Sequence, residues 1–113
     1  MSKELRFKCW IEIDNEKFFG PGPAQLLALI DEMGSLSKAA REMNMSYKKA
    51  WSIIDELNQK GSTTYVILHK GGSKGGGAEL TETARNVLKS YKELFSEMYQ
   101  ITELHRRKIL EIL

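Results

Sequence analysis

From Leu5 to Ile13 apolar residues take every second position, Leu5, Phe7, Cys9, Ile11 and Ile13, with Arg6, Lys8 and Glu12 among the residues between them. A period of two predicts a half-buried strand. Asp14-Asn15-Glu16 then reads as a turn and Lys17-Phe18-Phe19 as a short return strand, which gives an N-terminal hairpin. Gly20-Pro21-Gly22-Pro23 ends it. Proline has no amide hydrogen and suits the first helical turn, so Pro23 is expected to open a helix holding Leu26, Leu27, Leu29, Ile30 and Met33. Gly34 is placed to close that helix.

The pattern then resets twice within a few residues. Ser37 is the expected N-cap of a short helix from 38 to 43, with Ala39, Ala40 and Met43 on its apolar side. Ser46 offers a second cap, after which Tyr47, Ala50, Trp51, Ile54 and Leu57 recur at helical spacing while Lys48, Lys49 and Ser52 fall on the other side. Lys60-Gly61-Ser62 breaks this helix, and Thr63-Thr64-Tyr65-Val66-Ile67-Leu68 has the β-branched and aromatic content of a strand. Five of the nine residues from His69 to Gly77 are glycine, which predicts a loop, and Ala78-Glu79-Leu80 returns as a strand. Thr81 and Glu82 start a last helix over 82–113, about 48 Å long at 1.5 Å per residue. The order predicts a mainly α protein with small β elements: a winged helix-turn-helix with an N-terminal hairpin and a long C-terminal helix.

A chain of 113 residues, 42% hydrophobic and 28% charged, fits one domain over 1–113. No run approaches the ~20 apolar residues needed to cross a bilayer, and Met1-Ser2-Lys3-Glu4 leads into charge, so a cytoplasmic protein is expected. Cys9, His69 and His105 are scattered without metal-ligand or nucleophile–base spacing. Neither enzyme chemistry nor a metal or other cofactor is assigned to them. The net charge of +2 does not by itself indicate a nucleic-acid partner, but its distribution is uneven. Residues 34–80 hold seven lysines and arginines against four acids, whereas the remainder has one more acid than base.

That basic segment contains the chemistry. Small residues on the first helix of a helix-turn-helix let the second pack closely, and the second presents its N-terminal side chains to the major groove. Ala39 and Ala40 meet the first need, while Ser46, Tyr47, Lys48, Lys49 and Ser52 form the candidate reading surface for double-stranded DNA. Tyr47 and Trp51 also sit at a spacing more usual for a core. Phosphate contacts are expected from Ser37, Lys38, Lys70 and Lys74, with Ser73 and Gly75 in the same glycine wing. The wing lacks the G-x-x-x-x-G-K-[ST] pattern of a nucleotide loop. Ala84, Val87, Leu88, Tyr91, Leu94, Phe95, Met98, Ile101 and Leu104 make a stripe along the last helix, whose distal part is expected to pair in a homodimer. Arg106-Arg107-Lys108 reads either as a second DNA contact or, more readily, as a solvated basic end favoured by the helix dipole.

Gly34-Ser35-Leu36-Ser37-Lys38-Ala39-Ala40, Met45-Ser46-Tyr47-Lys48-Lys49-Ala50-Trp51, Ile54-Asp55-Glu56-Leu57-Asn58 and the wing from Lys70 to Thr81 together resemble the N-terminal DNA-binding domain of the molybdate-responsive ModE regulators. The likeness covers most of the chain. It implies a dimeric winged-helix transcription factor, similar also to LysR-type reading heads. ModE regulators add an oxyanion-binding module, for which no sequence remains here after the long helix; a stand-alone version without direct molybdate binding is therefore expected. The rival reading is a winged-helix module that binds protein and not DNA.

Overall fold

The computed structural model describes residues 1–70 and 76–113. Strand β1 (Ile11–Ile13) pairs antiparallel with β2 (Glu16–Phe19). Asp14 and Asn15 between them have φ of 52° and 65°, the two positive angles of the tight turn that matches strand twist. Glu16 is thus the first residue of β2 and not part of the turn. The ladder is shorter than the alternation predicts, because β2 holds four residues before Gly20 and leaves residues 5–10 no adjacent strand. The alternation itself persists there: Leu5, Phe7 and Cys9 are half-buried, and Arg6, Lys8 and Trp10 exposed.

Helix α1 (Pro21–Met33) opens two residues before the expected Pro23. Gly20 caps it in an extended conformation, and Pro21 occupies the first position, where an amide hydrogen would have no helical acceptor. Gly34 closes it at φ 65°, its amide bonding the Ile30 carbonyl. Leu26, Leu27 and Ile30 are fully buried on its inner face.

Helix α2 (Leu36–Glu42) is capped by Ser35 and not by Ser37: the Ser35 hydroxyl accepts from the Lys38 amide at 3.2 Å. Starting two residues earlier brings Leu36 into the core and leaves Ser37 exposed in the first turn. Asn44, at φ 53°, turns the chain into α3 (Tyr47–Lys60), which Ser46 caps as expected. The wing strands are β3 (Val66–His69) and β4 (Gly77–Leu80), paired from Val66 opposite Leu80 to His69 opposite Gly77. Residues 63–65 therefore precede the strand, and His69 and Gly77 belong to the ladder and not to the loop. Ser73, Lys74 and Gly75 lie outside the described residues.

Helix α4 (Glu82–Ile112) matches its predicted bounds within one residue, with the Thr81 hydroxyl accepting from the Ala84 amide. Its first turns close the core: Ala84, Leu88 and Tyr91 are buried, and the Tyr91 ring meets Phe19 edge-on at 5.2 Å. Beyond Tyr91 it leaves the globule and gives the molecule a longest dimension of 59 Å.

Candidate nucleic-acid interface

Helices α2 and α3 meet through small side chains. Ala39, Ala40 and Ala50 are each at most 2% exposed, which lets the two backbones approach closely. Behind them Ile54 and Leu57 complete the buried face of α3. That face is narrow. Tyr47 and Trp51, one turn apart on its flank, remain 53% and 44% exposed, so both belong to the surface and not to the core that their spacing suggested. Alanine-mediated contact explains the difference, since helices drawn this close cover only a thin arc and leave no depth for a ring at its edge.

The outward face of α3 carries Lys48, Lys49 and Ser52, all exposed, with Ser46 at its start accepting from the Lys49 amide at 3.1 Å. Ser37 and Lys38 are exposed on the first turn of α2, and Lys70 is exposed at the end of β3. Among the described residues, Lys38, Arg41, Lys48, Lys49 and Lys70 have no carboxylate within ion-pair distance. Lys60 differs: its ammonium lies 2.8 Å from both Glu16 and Glu56. Bonding to Lys60 draws the Glu16 carboxyl below its ordinary value, and the two carboxylates raise the Lys60 pKa in turn. This lysine fastens the hairpin to α3 and is not among the unpaired basic groups.

One residue escaped the sequence reading. Asn58 accepts from the amides of Tyr65 at 2.7 Å and Val66 at 3.1 Å, and donates to the Val66 carbonyl at 3.1 Å, tying the wing to α3. Asparagine competes poorly as a helix former, so its place beside the buried Leu57 was the available signal. Gly61 permits the return of the chain: a Cβ there would stand 2.6 Å from the Tyr65 ring and 2.8 Å from the Leu57 carbonyl. Two further bonds complete the mounting of the wing. The Ala78 amide donates to the Gly34 carbonyl at 3.0 Å, and the Thr81 amide to that of Tyr65 at 2.9 Å. Burial also raises the pKa of the Tyr65 hydroxyl. Among the described residues no cluster of three or more histidine, cysteine or acidic side chains could hold a metal ion, and no helix is long and apolar enough to cross a membrane.

No protein-family profile matches the chain. Over 90 residues, 80% of its length, it is 33% identical to the DNA-binding transcriptional dual regulator ModE of Escherichia coli and covers 34% of that protein. It is 32% identical over 88 residues to the molybdenum transport protein ModE of Azotobacter vinelandii, which is 78% of this chain and 33% of the relative. The chain is a homologue of the ModE-type regulators. It spans about a third of the length of these ModE relatives. A shorter match, 41% identical over 66 residues, 58% of the chain and 24% of the relative, is to the molybdenum-pterin-binding protein MopB of Rhodobacter capsulatus.

Proposed function

We propose that this ModE homologue is a transcriptional regulator of the cytoplasm that binds double-stranded DNA sequence-specifically as a homodimer. The observation that carries the reading is the capped N-terminal half of α3, where Lys48 and Lys49 have no ion-pair partner among the described residues and, with Ser52, stand opposite a packed inner face. Inserted in a major groove, the lysines would reach the acceptor edge of guanine or phosphate, and Ser46 and Ser52 would donate hydroxyls. Tyr47 and Trp51 add apolar ring surface to the same face, suited to sugar or thymine methyl contact. Ser37, Lys38 and Lys70 would hold flanking phosphates, with Ser73, Lys74 and Gly75 of the wing contributing alongside. The names of the ModE relatives support this reading.

The second copy is called for by α4. Leu94, Ile101, Leu104 and Ile112 are exposed along one side of the helix beyond the globule, an apolar stripe of the kind a second copy would cover. Two such helices crossing antiparallel near Ile101 would set Glu93 and Glu97 of one beside the basic Arg106–Lys108 stretch of the other. Direct molybdate binding is not part of the proposal, and calorimetry showing tight, stoichiometric uptake of molybdate would add it.

Selection of the purified protein on random duplex DNA tests the reading, followed by titration of the winner and a scrambled duplex at several salt concentrations. A palindrome bound far more tightly than its scramble is the expected outcome. Equal, weak and strongly salt-dependent binding of every duplex would favour a protein-binding module instead.

A further inference from the structure

The N-terminal arm has the alternation of a strand and the burial of a strand, yet among the described residues no strand lies beside it. Leu5, Phe7 and Cys9 turn inward and Arg6, Lys8 and Trp10 outward, but the ladder begins only at Ile11. Among the described residues, no backbone group of residues 4–10 bonds another backbone group outside that hairpin. An extended segment whose amides and carbonyls lack backbone partners is a template for another strand.

The arm is held along the distal half of α4, running opposite to it. The Tyr91 hydroxyl donates to the Cys9 carbonyl at 2.9 Å, the Phe7 and Phe95 rings lie 5.1 Å apart, and the Lys3 ammonium reaches the Leu113 carbonyl at 2.8 Å. Arg6 therefore stands beside the stretch between Phe95 and Leu113, the stretch that contains Ile101. A two-fold axis relating two α4 helices near Ile101 would pass close to Arg6 as well. It would bring the two arms side by side in antiparallel order.

We propose that residues 4–8 of the arm form an antiparallel strand pair with the same residues of a second copy, centred on Arg6. The pairing rests on the homodimer proposed above and specifies how it is sealed. Side-chain chemistry selects this register. Centred on Arg6, Leu5 of each copy faces Phe7 of the other on the inner side, and Glu4 faces Lys8 on the outer side. The two Arg6 side chains meet at the axis, each already bonded to the Glu4 carboxylate of its own chain. Centring on Phe7 would instead oppose Arg6 to Lys8 twice, against the single Arg6–Arg6 contact here, and centring on Leu5 would oppose Phe7 to Lys3 twice. A one-residue slip would set charged residues against apolar ones throughout. Where two copies meet, the ribbon of arms would cover helix surface that one arm alone covers only in part.

Disulfide trapping in the full chain tests this. In a Cys9→Ser background, Arg6→Cys places two thiols across the axis with Cα atoms about 5 Å apart, within disulfide range. Ser2→Cys, on the same outer face, would stand from its counterpart by roughly 27 Å in the extended arms. Under mild oxidation by oxidised glutathione the Arg6→Cys protein is expected to cross-link at least ten times faster than the Ser2→Cys protein. A mixture of Glu4→Cys and Lys8→Cys chains is expected to give the mixed dimer ahead of either self-pair. Light scattering on the same samples separates the two proposals. A dimer in which position 6 shows no advantage over position 2 overturns the arm pairing and leaves the homodimer, whereas a monomer overturns both.

Discussion

Helix α3 and the distal half of α4 carry similar sequence patterns and meet opposite fates. Each has apolar residues at helical spacing on one side and charges on the other, yet Ala50, Ile54 and Leu57 of α3 are at most 1% exposed, whereas Ile101 and Leu104 of α4 stand 58% and 80% exposed. The difference lies in what the chain supplies opposite. Helix α3 has α2, α1 and the hairpin against its inner face, while α4 past Phe95 has, among the described residues, the extended arm alone beside it. Amphipathic periodicity therefore announces that a surface needs cover, and does not say whether the same molecule provides it. In α3 the need is met within the fold and the other face stays exposed, where DNA contact is proposed; in α4 the uncovered face is where a second copy is proposed to sit.

The sharpest way to break this comparison is to delete the same apolar bulk from both helices. Ile54→Ala opens a cavity in a packed core and is expected to cost about 2–5 kcal/mol, a large share of a small domain's stability, seen as a melting temperature lower by about 10 °C or more. Leu104→Ala should leave the melting of the dilute protomer almost unchanged and weaken self-association, read by sedimentation. Equal loss in both would show that α4 is already covered within one chain.

The outer face of α3 is next. Lys48→Ala with Lys49→Ala should reduce affinity for the selected duplex by about 100-fold and flatten the salt dependence by roughly two units of log–log slope, with thermal melting unaltered. Loss of melting stability would instead make this face part of the packing. A smaller effect is expected at the mounting of the wing. Asn58→Leu leaves the Tyr65 and Val66 amides without their acceptor and should cost about 1–3 kcal/mol, concentrated at the wing. Hydrogen exchange should show those two amides losing protection while α1 keeps its own.

The smallest effect belongs to the exposed Glu16–Lys60 pair. Its folded Glu16 carboxyl titrates below the ordinary 4.5, so the stabilisation is fully present above that pH and is lost as pH falls through the lowered value. Lys60, raised above its ordinary 10.5, is charged throughout the neutral range. Melting of Glu16→Gln and the parent should therefore differ slightly and constantly from pH 6 to 8, and converge on acidification. A difference that changes between pH 6 and 8 would refute the assignment.

Local signals read well where one residue decides the geometry. Gly34 at a left-handed cap, Ser46 at the start of α3 and Thr81 at the start of α4 all occupy the positions their chemistry implies. Reading was poorer where tertiary packing chooses between local equals. Ser35 and Ser37 can both cap a helix, and the burial of Leu36 selects the former. Tyr47 and Trp51 share the helical phase of the core closely enough to pass for it, and only the thinness of the alanine contact puts them outside. Residues 5–10 have a true strand pattern whose partner no single chain contains among its described residues. The candidate site was legible as composition and spacing in Lys48, Lys49 and Ser52, but the fixing of the wing was not, because Asn58 acts through backbone amides that are distant in the spacing pattern.

Thr81 joins β4 to α4 with no intervening linker: its amide and hydroxyl hold the chain before β3, and the same hydroxyl caps the helix. The wing strands and a helix of 31 residues are thus joined directly, as one lever. In an assembly of two copies the separation and rotational phase of the reading heads would be set by a ruler graduated in helical steps of 1.5 Å and about 100°. One residue inserted past Tyr91 would turn each head by about 100° about its helix, and removal of seven would nearly restore the phase while shortening each lever by roughly 10 Å. Operator spacing would then change in increments of whole helical repeats, a coarse metric for so small a protein to impose on its DNA.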